Sequence, residues 1–190
     1  MTWASDVSPA IGESAALARA IDLIAAIPDY PEPGVVFRDL TPLFADGAAF
    51  AAVVDALVRP FAGRFDAVAG LEARGFLLAG AVAMRTGTGL VPIRKQGKLP
   101  RPTESQRYDL EYGSATIEAH RGDLRSGSRV LLVDDVLATG GTLGASLRVA
   151  DRLGWDVVGA ALVLEIDALG GRDVVAGVDR DLEVVSLTHV

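Results

Sequence analysis

Apolar positions along this chain recur with two periods, and the order in which the periods alternate predicts its elements. Over residues 13–27, Leu17, Ile21, Ile24 and Ala25 return at helical spacing, and Pro28 predicts the stop. Residues 28–34 carry three prolines and a glycine, which predicts a stiff extended loop, and residues 35–37 read as a short extended segment. Residues 47–61 are helical in pattern, with Pro60 expected to disturb the end. Strand and helix patterns then alternate: strand 66–70, helix 75–86, strand 90–93, strand 129–133, helix 142–153, strand 157–164 and a last strand at 182–187. This alternation predicts an α/β domain, doubly wound around a largely parallel sheet and spanning residues 1–190. Residues 1–12, punctuated by Ser, Pro and Gly, are expected to form a flexible N-terminal extension.

Residues 94–113 interrupt the alternation. The segment is polar, of mixed charge and carries two prolines between core strands. Long loops of this kind are usually functional. With Arg94, Lys95 and Lys98 at its head and Tyr108 and Glu111 further on, it is expected to be a mobile flap over an active site.

The most specific chemistry lies at residues 130–142. Val130 to Val133 form the continuous aliphatic run of a strand buried on both faces. Asp134 and Asp135 follow at its carboxyl end, then a loop of Ala138, Thr139, Gly140, Gly141 and Thr142, then a helical pattern. Ligands of open α/β sheets bind at the carboxyl ends of strands. A Gly-rich loop at a helix N-terminus presents amides to an anion, above all phosphate. Two carboxylates beside such a cradle are unfavourable unless something uses them. Vicinal ribose hydroxyls can, and Mg²⁺ binds such oxygens too. The pattern therefore suggests a sugar phosphate, which a strand that merely ends in solvated acids before a turn would not explain.

Two neighbouring segments extend the picture. Residues 70–76 join a strand end to a helix start, with Arg74 above the backbone amides, which suits pyrophosphate better than a plain turn would. Arg94, Lys95 and Lys98 place three cations within five positions at the next strand end. His120 and His189 are isolated, show no metal-ligand spacing, and are expected at the surface.

Composition narrows the classes. The 190 residues include no Cys, which removes disulfides, thiol nucleophiles and thiolate metal sites. Half the residues are hydrophobic and mean hydropathy is +0.33, so the chain can bury a core. No apolar run reaches the ~18 residues of a membrane span, and no secretory signal is evident. A cytoplasmic protein without membrane partners is expected. The net charge of −7 argues against a broad nucleic-acid surface. Walker-type, Gly-x-Gly-x-x-Gly and Gly-x-Ser-x-Gly motifs are missing.

The 130–142 motif closely resembles the phosphoribosyl pyrophosphate (PRPP) signature of type I phosphoribosyltransferases. Residues 28–39 (PDYPEPGVVFRD), 70–76, 93–100 (IRKQGKLP) and 110–113 (LEYG) match in order the adenine-using members of that family, over roughly residues 20–187. Departures are the N-terminal extension, Pro60, and Ala73 where many relatives carry Ser. The resemblance implies the type I phosphoribosyltransferase fold and transfer of phosphoribose from PRPP to adenine, giving AMP and pyrophosphate in purine salvage. Ala138 to Thr142 would hold the 5-phosphate, and Asp134 and Asp135 the ribose hydroxyls. Arg74, Arg94, Lys95 and Lys98 would hold pyrophosphate, and Glu111 would approach the imidazole edge of the base. Val36, Phe37 and Arg38 would read adenine, the Val36 carbonyl and Arg38 amide through hydrogen bonds and Phe37 by stacking. Mg²⁺ would arrive chiefly with PRPP, without a direct protein cage. A homodimer is implied, with Arg94 reaching the neighbour's site. A phosphoribosyltransferase for another base, or a non-enzymatic PRPP sensor, remains open from the residues themselves.

Overall fold

The computed structural model describes residues 11–109 and 113–190. These fall into two compact units, divided between Ala56 and Leu57.

In the first unit, helix α1 (Ile11–Asp22) ends earlier than its apolar spacing suggests. The expected helix tail is instead strand β1 (Ala25–Pro28), paired antiparallel with β2 (Val36–Asp39). The apolar run Ile24–Ile27 fits either period, and the partner strand decides it. Residues 29–35 are therefore a hairpin connection, not the extended loop expected. Its turn is closed by the Gly34 amide on Asp29 Oδ1 (2.8 Å) and the Tyr30 amide on the Val35 carbonyl (3.2 Å). A short helix α2 (Thr41–Ala45), unforeseen in the pattern, precedes α3 (Gly47–Val58). Asp46 caps α3 by accepting from the Ala48 and Ala49 amides (3.1 and 3.0 Å). Pro60 acts as expected: α3 gives way to a tighter 3₁₀ turn at Arg59–Phe61.

The second unit is built on a seven-stranded sheet. Its strands are β3 (Ala67–Leu71), β4 (Gly89–Lys95), β5 (Thr103–Asp109), β6 (Ser114–His120), β7 (Arg129–Leu137), β8 (Asp156–Glu165) and β9 (Val184–His189), in the spatial order β5-β6-β4-β3-β7-β8-β9. Pairings from β4 through β3, β7 and β8 to β9 are parallel, whereas β6 pairs antiparallel with both β4 and β5. Helices α4 (Gly75–Thr86), α5 (Gly141–Arg152) and α6 (Gly171–Ala176) provide or flank the crossovers. Val130 to Val133, Ala160 to Val163, and Ala67 to Ala69 are buried, so the central strands read as unbroken apolar runs.

Three expectations need correction. Within the 94–113 segment, residues 103–109 form β5, which pairs antiparallel with β6 just beyond the segment, so it is not an irregular loop throughout. Ser-Ala-Thr-Ile-Glu-Ala-His looks polar because Glu118 and His120 sit at buried positions of an inner strand. His120 is accordingly buried, not at the surface. Finally, β7 runs four residues beyond Val133, so Asp134 and Asp135 lie within the strand.

Candidate active site

The chain leaves β3 for β4 on one side of the sheet, and β7 for β8 on the other. The switch lies between β3 and β7, which are hydrogen-bonded neighbours. Crossovers diverge there, so a crevice opens at the carboxyl ends of these two strands. The residues expected at the site from β3, β4 and β7 converge on it.

On the β7 side, the chain passes from Leu137 through residues 138–140 into α5. Gly140 caps the helix with φ = +77°, a conformation that a side chain would disfavour. A Cβ there would also collide with the backbone of Gly171, and one on Gly171 would collide with the Ala138 carbonyl. The start of α6 is thus the floor of the loop, a role for Gly171 that no local pattern announces. No side chain caps α5, and the first intrahelical bond runs from the Gly144 amide to the Gly140 carbonyl (2.8 Å). The earlier amides of the first turn therefore have no acceptor within the helix and suit an anion. A cavity of ≈ 60 Å³ lies here, lined by residues that include Asp134 and all of Ala138 to Thr142. That volume suits a group of a few heavy atoms, about two water volumes, as a phosphate is.

Asp134 and Asp135 differ in their surroundings. Asp134 Oδ1 accepts the Asp135 amide (2.9 Å). Burial pushes the Asp134 carboxyl well above the usual carboxylate range, and the adjacent charge of Asp135 pushes the same way. Asp135, with its side chain 10% exposed, pairs with Arg74 at 2.7 Å. Gly75 permits this approach: a Cβ on it would stand 2.8 Å from both Asp134 Oδ1 and the Val133 carbonyl.

On the other side of the crevice, Glu72 follows β3 through a cis Glu72–Ala73 peptide. Sequence reasoning passed over Glu72, yet it organises the expected pyrophosphate cations. Its carboxylate accepts from the Lys98 ammonium (2.8 Å) and the Lys95 amide (2.9 Å), and lies 3.4 Å from Arg94 Nε. Burial works against the Glu72 charge, but Lys98, the Lys95 amide and Arg94 outweigh it and hold the carboxyl below its ordinary value. Arg94 also lies over the Phe76 ring, 5.7 Å from its centroid. The Lys95 side chain is exposed. Only a partner's location could have flagged Glu72, since it stands 23 residues from Lys95 in the chain.

The hairpin reaches the Gly-rich loop at the start of α5 as well. Tyr108 on β5 shares a hydrogen bond with Thr142 Oγ1 (3.1 Å). Glu111 lies outside the described residues. In the first unit, Val36, Phe37 and Arg38 form the body of β2, opposite Pro28, Ile27 and Ala26. Phe37 meets Tyr30 edge-on, with centroids 5.3 Å apart.

Among the described residues, Glu165, Asp167 and His189 bring possible ligand atoms within 4.8 Å of one another. Glu165 is already held by Arg172 (2.7 Å) and Ser186 (2.8 Å), so the group pins α6 to β8 and β9. His189 is exposed, as expected, but not isolated: its Nδ1 meets Asp167 at 2.8 Å. No helix of the described residues is long and apolar enough to cross a membrane.

Residues 41–183 match the family described as Phosphoribosyl transferase domain. The adenine phosphoribosyltransferase of Renibacterium salmoninarum is 63% identical over 155 residues, covering 82% of this chain and 85% of the relative. The crystal structure of the Rhodothermus marinus adenine phosphoribosyltransferase is similar with a TM-score of 0.86 at 39% identity, over 93% of this chain and 99% of that one. The Saccharomyces cerevisiae enzyme, solved with adenine and an imino-altritol bisphosphate, gives 0.85 at 32% identity, over 92% and 99%. Sequence, domain match and fold agree, and the chain belongs to the adenine phosphoribosyltransferases.

Proposed function

We propose that this chain transfers the 5-phosphoribosyl group of PRPP to adenine, releasing AMP and pyrophosphate, as a cytoplasmic enzyme of purine salvage. One observation carries the reading: a phosphate cradle with two carboxylates (Asp134, Asp135) faces a cationic strand end (Arg74, Arg94, Lys98) across the switch-point crevice. Those are the charges that a phosphorylated ribose leaving pyrophosphate requires.

In the reaction the bond from ribose C1 to pyrophosphate oxygen breaks, and a bond from C1 to adenine N9 forms. Positive charge develops on the sugar, and the protein's work is positioning and electrostatics. The amides of Gly141 and Thr142, with the Thr139 and Thr142 hydroxyls, hold the 5-phosphate, and Ala138 and Gly140 shape the turn. Asp134 and Asp135 accept from the ribose hydroxyls and bias the cationic sugar. Arg74, Arg94, Lys95 and Lys98 take the charge of the departing pyrophosphate. Glu111 is assigned to the imidazole edge of the base, where the N9 proton must leave.

The base is read by β2. The Val36 carbonyl is assigned to the adenine N6 donor. The Arg38 amide is assigned to N1, and Phe37 to stacking. Hypoxanthine reverses both polar contacts, each at about 1–3 kcal/mol.

Mg²⁺ fits this donor set when carried chiefly by PRPP. Asp135 already has Arg74 as counter-ion, and Asp134 is the one acid lining the loop cavity among the described residues. When bound, Mg²⁺ supplies neutralisation of pyrophosphate oxygens.

A homodimer is part of the same proposal. Leu77 and Met84, one α4 face at a spacing of seven, are 55% and 86% exposed, as a second copy would require. Sedimentation of a Leu77→Glu/Met84→Glu variant checks it, with a monomer expected.

The deciding experiment offers adenine, hypoxanthine, guanine, xanthine and orotate in turn to the purified chain with PRPP and Mg²⁺. AMP formation strongly preferred over the other products is expected. Comparable use of hypoxanthine or guanine would refute the adenine assignment while leaving phosphoribosyl transfer.

A further inference from the structure

We propose that Glu118 is a positioning residue for pyrophosphate: its buried carboxylate fixes the turn that presents Lys98 beside Arg94 and Lys95. The proposal rests on the phosphoribosyl-transfer reading and extends it to a residue that would touch no substrate.

Glu118 lies on β6 directly opposite Arg94 of β4, and Ile117 lies opposite Lys95. The ladder continues for one more bond, from the Gln96 amide to the Thr116 carbonyl (2.9 Å). The chain then turns at Gly97, where φ is +84°. Beyond that point three successive amides point inward, and all three meet one atom. Glu118 Oε1 accepts from Gly97 (2.9 Å), Lys98 (3.2 Å) and Leu99 (3.3 Å). Its other oxygen accepts from the Thr103 hydroxyl (3.1 Å), and the residue is 4% exposed.

Successive inward amides in a turn form a concave anion cradle. Here the chain fills the cradle with its own carboxylate. Two consequences follow. The amides of residues 97–99 are consumed, so an external anion meets this turn through side chains. The backbone of the turn is also fixed, which sets where the Lys98 ammonium can reach. That ammonium is half-exposed and swings toward Glu72 at the edge of the crevice. Arg94 Nη1 adds a bond to the Lys98 carbonyl (3.4 Å), so the turn and the second cation move as one piece.

A carboxylate is the side chain this geometry calls for. One carboxylate oxygen can accept all three donors, and hydrogen bonds to a charged acceptor are roughly twice as strong as neutral ones. A glutamine keeps an acceptor oxygen at the same place, and its amide can donate to the Thr103 hydroxyl. An alanine leaves three buried amides unpaired and the turn unanchored.

The test compares the parent chain with E118Q and E118A. Calorimetry with magnesium pyrophosphate, which needs no turnover, is run beside steady-state kinetics. E118A is expected to weaken pyrophosphate binding and raise KM for PRPP by about tenfold or more, with KM for adenine within about twofold. E118Q should recover most of the loss. Equal rises for adenine and PRPP, or unchanged pyrophosphate affinity in folded E118A, would overturn the proposal. Should E118A fail to fold, E118D, whose shorter side chain draws the carboxylate back from the three amides, decides by amide hydrogen exchange and calorimetry together. Faster exchange at residues 97–99, with β3 and β7 unchanged and pyrophosphate affinity reduced, supports it; parent-like exchange or affinity overturns it. A parent chain that binds pyrophosphate but never makes AMP would count against the adenine reaction and leave the role of Glu118 to the same calorimetry.

Discussion

Arg74, at the head of α4, and Asp135, inside β7, form an ion pair of 2.7 Å that spans the crevice between two strand ends. The pair joins a group assigned to pyrophosphate to one assigned to ribose. Substrate binding must therefore redistribute this contact: the guanidinium turns to the diphosphate as the carboxylate turns to the hydroxyls. Asp135→Asn keeps the shape and removes the charge. Turnover at saturating PRPP and Mg²⁺ is expected to fall about 100-fold, equivalent to ~2.7 kcal/mol, while unfolding free energy changes by less than about 2 kcal/mol. Unchanged turnover would remove Asp135 from the mechanism.

Asp134 predicts a pH-dependent trade of stability for function. Its carboxyl is raised by burial and by Asp135, so the folded protein holds that proton more tightly than the unfolded chain does. The associated stability is present below the ordinary value of 3.8 and is lost as pH rises through the raised one. As pH rises above that ordinary value, keeping this carboxyl buried therefore costs stability. Asp134→Asn should melt higher than the parent at pH 7–8, with the difference shrinking toward pH 4, and should lose activity. A lower Tm for the variant at pH 8 would contradict the burial argument.

Glu72 predicts the opposite slope. Its carboxyl is depressed despite burial, because Lys98, the Lys95 amide and Arg94 favour the charge. That contribution is present above the ordinary value of 4.5 and disappears as pH falls through the depressed value. Glu72→Gln should lower stability at pH 7 by about 1–3 kcal/mol, with a shallower loss on acidification. Denaturant titrations at pH 7 and pH 4 measure both.

The Tyr108–Thr142 bond ties the hairpin to the phosphate loop. Substrate-responsive closure of residues 94–113 would exclude water from a cationic sugar. Proteolytic nicking in that span should slow with PRPP plus an unreactive adenine analogue, and Tyr108→Phe should nick faster than the parent. Identical rates in all conditions would argue that the hairpin does not act as a flap.

Phe37→Ala should raise KM for adenine by about tenfold through lost stacking, yet keep the preference for adenine over hypoxanthine. Backbone recognition at Val36 and Arg38 survives the substitution. Loss of the preference would show that side chains read the base.

Much of the second unit was legible because its signals are local. The run Val130–Val133, the paired acids and the Gly-Thr loop each follow from chain neighbours, as does the break of α3 at Pro60. Ala25–Pro28 was misread because a four-residue apolar run carries no period of its own; only pairing with β2 makes it a strand. The strand at residues 103–109 was misread, and the one at 114–120 passed over, for a different reason. Their polarity is that of a solvated loop, and only the ladder reveals that Glu118 and His120 point inward.

By itself, then, the sequence determined the loop proposed to hold phosphate, because a cradle of amides needs only a strand end, a Gly-rich turn and a helix start contiguous in the chain. It also determined that Arg94, Lys95 and Lys98 gather at one strand end, the cations proposed for pyrophosphate. Only the tertiary structure decided which carboxylate each cation faces. Arg74 meets Asp135 from a strand 61 positions away (135 − 74), and Lys98 meets Glu72 from 26 positions away. Such pairings depend on which strands lie side by side at the switch point, and strand order is set by packing of the whole sheet rather than by any local run of residues.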